Sequence, residues 1–201
     1  NDLSPNLGAE TGWKFYAERP FLSGLFYWTG FDYRGEPTPY AWPAVTSQYG
    51  MTDLCGFPKD IFYYFKSWWG NDPVIHIATH WTWPDKSGEI IPVRIYSNCD
   101  KVELFLNGKS LGKKSMPVNG HLEWSVSYKP GTLTAKGYKK GMAIIEDRVA
   151  TSGSPSRIEL TGSKKVLHAG KDDLSVITIE VRDGEGKAHP TAEAEVSLSI
   201  E

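Results

Sequence analysis

From Asn71 onward, short apolar runs alternate with turn residues, a pattern that restricts most of this 201-residue chain to antiparallel β structure. Val74–Ala78, Ile90–Tyr96, Val102–Leu106, His121–Val126, Thr132–Tyr138 and Ala143–Ile145 read as strands, several alternating apolar and polar. Between them stand Asn107-Gly108, Asn119-Gly120, Pro130-Gly131 and Lys140-Gly141. An Asn-Gly pair between apolar runs favours a two-residue hairpin, because both positions of that turn take positive φ. About seven short strands over ~80 residues is the count of an immunoglobulin-like sandwich, which is the expectation for residues 71–150. Residues 151–154, within Thr151-Ser152-Gly153-Ser154-Pro155-Ser156, have the composition of a linker. Arg157–Leu160, Ser175–Val181 and Glu195–Ile200 then alternate again, with a turn at Asp183-Gly184-Glu185-Gly186. Residues 155–201 therefore read as a partial second sandwich, with too few strands to close two sheets.

The first 70 residues obey different rules. Leu22–Trp28 is an apolar, aromatic run with the character of a strand buried on both faces. It gives way to Thr29-Gly30-Phe31-Asp32-Tyr33-Arg34-Gly35-Glu36-Pro37, a polar and aromatic loop. Such a strand, ending in such a loop, suggests a parallel stave of a (β/α)8 TIM barrel, where chemistry sits on the loops after the strands. Residues 1–8 are turn-forming, and residues 9–19 read as a short amphipathic helix stopped at Arg19-Pro20. Pro37, Pro39 and Pro43 keep residues 37–49 out of regular structure, and residues 50–58 continue that loop. Lys59–Trp69 is a helix, aromatic round most of its circumference, with Gly70 at its end. One helix-strand-helix unit closes no barrel, and the last strands complete no sandwich. The chain is therefore expected to be a piece of a longer multidomain polypeptide, whose remainder is its first partner.

A formal charge of -2 and a pI near 6.2 give no basis for binding nucleic acid or an anionic membrane. No apolar run approaches the ~20 residues that span a bilayer, and residues 1–20 hold no apolar segment of a signal peptide. Cys55 and Cys99 fall in segments assigned to different domains, so no bridge is expected. Seven of the eight tryptophans lie between Trp13 and Trp83, and such density serves either a large core or faces for sugar rings.

Asp32 and Glu36 are the candidate carboxylates. A retaining glycosidase needs two carboxyl groups about 5–5.5 Å apart and an inverting one about 6.5–9.5 Å, and four residues of loop span either distance. The alternative is that Asp32 holds the loop or a substrate hydroxyl while Glu36 pairs with Arg34 or caps a turn. His76 and His80 lie in a strand or loop, where their spacing makes no metal site. His121, His168 and His189 read as surface residues. Trp81-Thr82-Trp83-Pro84 is an aromatic turn, suited to stacking on a carbohydrate or to sealing the seam between the first 70 residues and the sandwich.

The segment GLFYWTGFDYRGEPTPYAWP, followed by SQYGMTDLCGFPKDIFYYFKSWW, resembles glycoside hydrolase family 2, of the β-galactosidase type. The likeness is close over residues 12–69 and weaker beyond. It implies the last helix, strand and helix of a catalytic (β/α)8 barrel, then immunoglobulin-like domains of the kind that follow the barrel in many exported bacterial members, and so a periplasmic or extracellular location. It also implies retaining hydrolysis of a β-galactoside or related β-glycoside, with acid/base and nucleophile glutamates on earlier barrel strands and so before Asn1. By the same resemblance Asp32 and Glu36 match no catalytic position. Trp28 matches a tryptophan in the wall of the sugar subsite, followed by a peptide bond that is often cis, and Asp32 and Glu36 share that rim as substrate-binding candidates. No metal ligands can be matched, so neither metal nor cofactor is expected. The competing reading is a non-catalytic carbohydrate-binding or spacer module. Oligomeric state is not legible.

Overall fold

The computed structural model describes residues 4–170 and 172–199. It is mostly β-sheet with two helices. Helix α1 spans Ser4–Ala17 and α2 spans Asp60–Trp69. Nine strands follow: β1 Ile75–Ile77, β2 Ile90–Ser97, β3 Lys101–Leu106, β4 Lys109–Ser115, β5 Leu122–Ser127, β6 Thr132–Lys139, β7 Met142–Ala150, β8 Pro155–Gly162 and β9 Ile177–Asp183.

The order β1-β2-β5 makes one antiparallel sheet and β4-β3-β6-β7 a second. Their inward residues form one core, in which Val93, Ile95, Leu122 and Trp124 of the first sheet meet Val102, Leu104, Leu133 and Ala135 of the second. Period-two alternation puts these side chains on facing surfaces, most visibly in β5, where Leu122, Trp124 and Val126 are buried and Glu123, Ser125 and Ser127 exposed. The Asn107-Gly108 turn joins β3 to β4 with φ of 50° and 79°, the positive pair that a two-residue hairpin needs. Lys140-Gly141 does the same between β6 and β7. Strands β8 and β9 form a separate two-stranded sheet.

Several sequence expectations change. Helix α1 begins at Ser4, within the stretch read as turn, because Pro5 falls in the first helical turn where no backbone donor is needed. Leu22–Trp28 forms no strand: a strand exists through its ladder, and none of the described residues lies alongside to supply one. Phe26 is fully exposed, so the expected double burial is not met here. Glu195–Ser199 likewise pairs with nothing among the described residues, and Ile200 lies outside them. Strand β4, with Leu111 as its one large apolar residue, escapes a pattern search and is held by its pairing with β3.

The helices grip the sandwich at one turn. Trp13 Nε1 donates to Asn119 Oδ1 at 3.0 Å, Tyr64 Oη to the Asn119 carbonyl at 2.8 Å and Trp68 Nε1 to the Gly120 carbonyl at 3.2 Å. His121, read as a surface residue, is partly buried here and bonds Glu10 of α1. His76 stacks on Tyr63 at 3.8 Å and reaches Asp60 Oδ1 at 2.8 Å, tying β1 to α2. Trp81 is not part of that seam. It is buried in the sandwich core against Tyr128, with its Nε1 on the Lys129 carbonyl at 3.0 Å. Cys55 is exposed, Cys99 buried, and both are free thiols. Among the described residues no helix is long and apolar enough to cross a membrane.

Candidate functional site

The loop from Trp28 to Pro58 has almost no ladder of its own, so single bonds hold it. Met51 N donates to the Thr29 carbonyl, Thr52 N to Gly30, Asp32 N to Thr52 and Ser47 N to Tyr33, all between 2.9 and 3.0 Å. Gly50 sits where these two passes of chain touch. A Cβ there would lie 2.3 Å from Asp32 N and 2.5 Å from the Phe31 carbonyl carbon, so only glycine fits. Ser47, fully buried, accepts at Oγ from Tyr33 N at 3.0 Å.

Asp32 is the internal clamp of this loop. Its Oδ1 accepts from Gly50 N at 2.8 Å, its Oδ2 pairs with Lys59 at the start of α2, and the residue is buried. Of the two roles open to it in sequence, loop-holding is the one its contacts serve.

Trp28 and Glu36 come together on the outer rim through two tyrosines. Trp28 Nε1 donates to Tyr33 Oη at 3.2 Å, and the Tyr33 and Tyr49 hydroxyls, 2.7 Å apart, both bond Glu36 Oε2. Trp28 and Tyr33 meet edge to face at 5.8 Å, as do Tyr33 and Tyr49 at 6.1 Å. Glu36 takes these hydroxyls as partners, not Arg34, and adopts a left-handed backbone, φ 48°, that turns it back over Tyr33. The Tyr33 and Tyr49 hydroxyls hold its carboxyl below the usual glutamate range. The same bond to Glu36 raises the Tyr49 phenol, so Tyr49 stays a neutral donor beside an ionised carboxylate. The Trp28-Thr29 peptide is cis.

Trp28 is 70% exposed, leaving an indole face free beside this cluster. Trp13, Trp68, Trp81 and Trp83 instead spend their N–H groups on structural acceptors. Trp42, 84% exposed on the proline-rich segment, is a further free indole that the sequence did not single out. Tyr33 and Tyr49 were also missed: they are 16 residues apart in a loop without period, and only the fold joins them. A cleft of about 460 Å³ opens on the sandwich beside Leu106, Leu111 and Trp124, and none of the rim residues lines it. Among the described residues no three His, Cys, Asp or Glu side chains gather as a metal site.

Residues 88–145 match the family model described as a domain of unknown function, DUF4982. A β-galactosidase of Bacteroides ovatus is 41% identical over 96% of this chain and 23% of its own length. A putative β-glucuronidase of Formosa agariphila is 38% identical over 100% of the chain and 20% of its own length. Among solved structures, a β-glycosidase from Bacteroides vulgatus superposes with a TM-score of 0.84 at 38% identity, over 90% of this chain and 23% of that one. A glycosyl hydrolase family 2 member from Bacteroides cellulosilyticus gives 0.79 at 29% identity, over 90% and 28%. The chain thus spans about a fifth to a quarter of the relatives it matches. Extended likeness of both sequence and fold, running through the rim loop and the sandwich alike, places this chain in glycoside hydrolase family 2.

Proposed function

We propose that the chain is the barrel-closing and post-barrel part of a retaining glycosidase acting on β-galactosides or related β-glycosides. In this reading residues 1–70 end a (β/α)8 barrel, with Leu22–Trp28 as the stave whose neighbours come from elsewhere in the polypeptide. Residues 71–150 are an immunoglobulin-like sandwich, residues 151–154 the linker, and residues 155–201 the start of a second sandwich. The two catalytic glutamates belong to earlier staves, outside these residues. Asp32 suits neither role, since both its oxygens are engaged in the loop.

One observation carries the reading: an exposed indole, Trp28, stands beside an ionised carboxylate and two phenol hydroxyls. The apolar C–H face of a sugar ring packs on such an indole, and its hydroxyls bond the polar groups next to it. Trp28→Ala in the full-length enzyme tests it. Loss of a stacking contact of about 0.5–1.5 kcal/mol lowers kcat/KM on a chromogenic β-galactoside by roughly twofold to just over tenfold. An unchanged value removes Trp28 from the subsite. The isolated 201-residue chain should turn over none of that substrate.

A further inference from the structure

Resting on the reading of the rim as a sugar subsite, we infer that Glu36 sets its specificity, admitting neutral sugars and rejecting uronic acids. The family relatives divide between β-galactosidases and β-glucuronidases, whose sugars differ in a hydroxymethyl group against a carboxylate. The rim answers that difference with a fixed negative charge. Glu36 is held by the Tyr33 and Tyr49 hydroxyls, and among the described residues no lysine or arginine pairs with it. Tyr33 also bonds the Trp28 indole N–H, so the charge stands off the edge of the indole on which the ring would stack, within reach of groups that extend past that edge. A sugar hydroxyl donates to this carboxylate. A uronate at the same place brings a second anion against this carboxylate, and juxtaposed like charges disfavour the wrong partner. Tyr33 and Tyr49 are positioning residues: both hydroxyls bond Oε2 and hold the Glu36 carboxylate in one orientation, leaving Oε1 outside these bonds.

The test measures kcat/KM of the full-length enzyme on p-nitrophenyl β-galactoside and p-nitrophenyl β-glucuronide. Wild type should prefer the galactoside. Glu36→Gln keeps the shape and the acceptor oxygen but removes the charge, and should narrow the preference by about tenfold or more, mainly by relieving the glucuronide. Glu36→Asp, which keeps the charge, should retain it. A wild type that prefers the glucuronide, or a Glu36→Gln ratio within about twofold of wild type, overturns the inference. Trp28→Ala separates this from the underlying reading: it should depress both substrates together, and no effect on either would remove the subsite itself. Where a variant loses turnover, thermal stabilisation by galactose against glucuronate reads the same preference through binding. Equal stabilisation by the two sugars in wild type also overturns it.

Discussion

His121 Nδ1 lies 2.5 Å from Glu10 Oε2, a bond across 111 residues that fastens helix α1 to the turn ahead of β5. Burial opposes ionisation of Glu10, but hydrogen bonds from His121 and Lys14 outweigh it and hold the carboxyl below its usual value of 4.5. A depressed folded-state pKa gives stability that is present above the unfolded value and lost as pH falls through the folded one. Glu10→Gln should therefore lower the melting temperature of the full-length protein at neutral pH, through a loss of about 1–3 kcal/mol. That gap should start to close as pH falls below the ordinary value of 4.5 and vanish only once pH has passed the lower folded value, where wild type has lost the same contribution. Scanning calorimetry from neutral to acid pH checks this, and a gap constant across the range would contradict it.

The Asp32–Lys59 pair joins the rim loop to the start of α2, with Asp32 buried and Lys59 partly exposed. Replacing either partner alone leaves the other poorly compensated, whereas replacing both leaves no orphan charge. A double-mutant cycle with Asp32→Asn and Lys59→Met in the full-length enzyme should give a coupling of about 1–2 kcal/mol, scaled for Lys59's exposure. Coupling below about 0.3 kcal/mol would mean that the loop is held by its backbone bonds alone.

The parts of the fold legible in sequence are those fixed by local chemistry. The hairpin at Asn107-Gly108 needs only two residues to declare itself, and α2 declares its length between Lys59 and Gly70. What the sequence hides is partnership. Lys109–Ser115 carries no apolar alternation yet is a strand because β3 lies beside it, while Leu22–Trp28 has every intrinsic feature of a strand and no ladder. The site divides in the same way. Trp28 and Glu36 are both exposed, and their link runs through Tyr33 and Tyr49, which no spacing rule brings together. Asp32, next to Tyr33 in sequence, points its carboxylate inward to Gly50 and Lys59.

Gly50 makes the loop testable from within. All three atoms that a Cβ would meet closest, Asp32 N, the Phe31 carbonyl carbon and the Thr52 carbonyl oxygen, are backbone and have no rotamer to yield. Gly50→Ala must push the two passes of chain apart, at about 1–3 kcal/mol. Tyr49 precedes it and anchors Glu36, so the displacement should reach the rim. The expected result in the full-length enzyme is a lower melting temperature together with a fall in kcat/KM on a β-galactoside. A variant that loses stability but keeps wild-type kcat/KM would show that the clamp and the rim are independent.

Residues 151–154 have the composition of a free hinge but are bonded at both ends. Thr151 Oγ1 donates to the Trp81 carbonyl at 2.6 Å and Ser152 N to Thr82 Oγ1 at 3.0 Å, which pins them to the sandwich. On the far side Gly153 N donates to Asp183 Oδ2 at 2.7 Å, while Asp183 Oδ1 accepts from Glu185 N at 2.9 Å and Lys187 N at 2.8 Å. One buried carboxylate thus organises the β9 turn and holds the connecting segment against it. These backbone donors, the Gly153 N–H foremost, depress the Asp183 pKa. The clamp is therefore intact above the ordinary aspartate value of 3.8 and fails as pH falls through the lower folded value. Asp183→Ala should release the Gly153 side at every pH while leaving the Thr151 and Ser152 bonds in place. The measurable consequence is limited proteolysis: cleavage between 151 and 156 should quicken several-fold in the variant at neutral pH, while residues 71–150 stay resistant. Asp183→Asn, which keeps an acceptor oxygen but only one, should fall between the two. Equal cleavage rates in wild type and Asp183→Ala would show that Thr151 and Ser152 alone determine how the two sheet regions are joined.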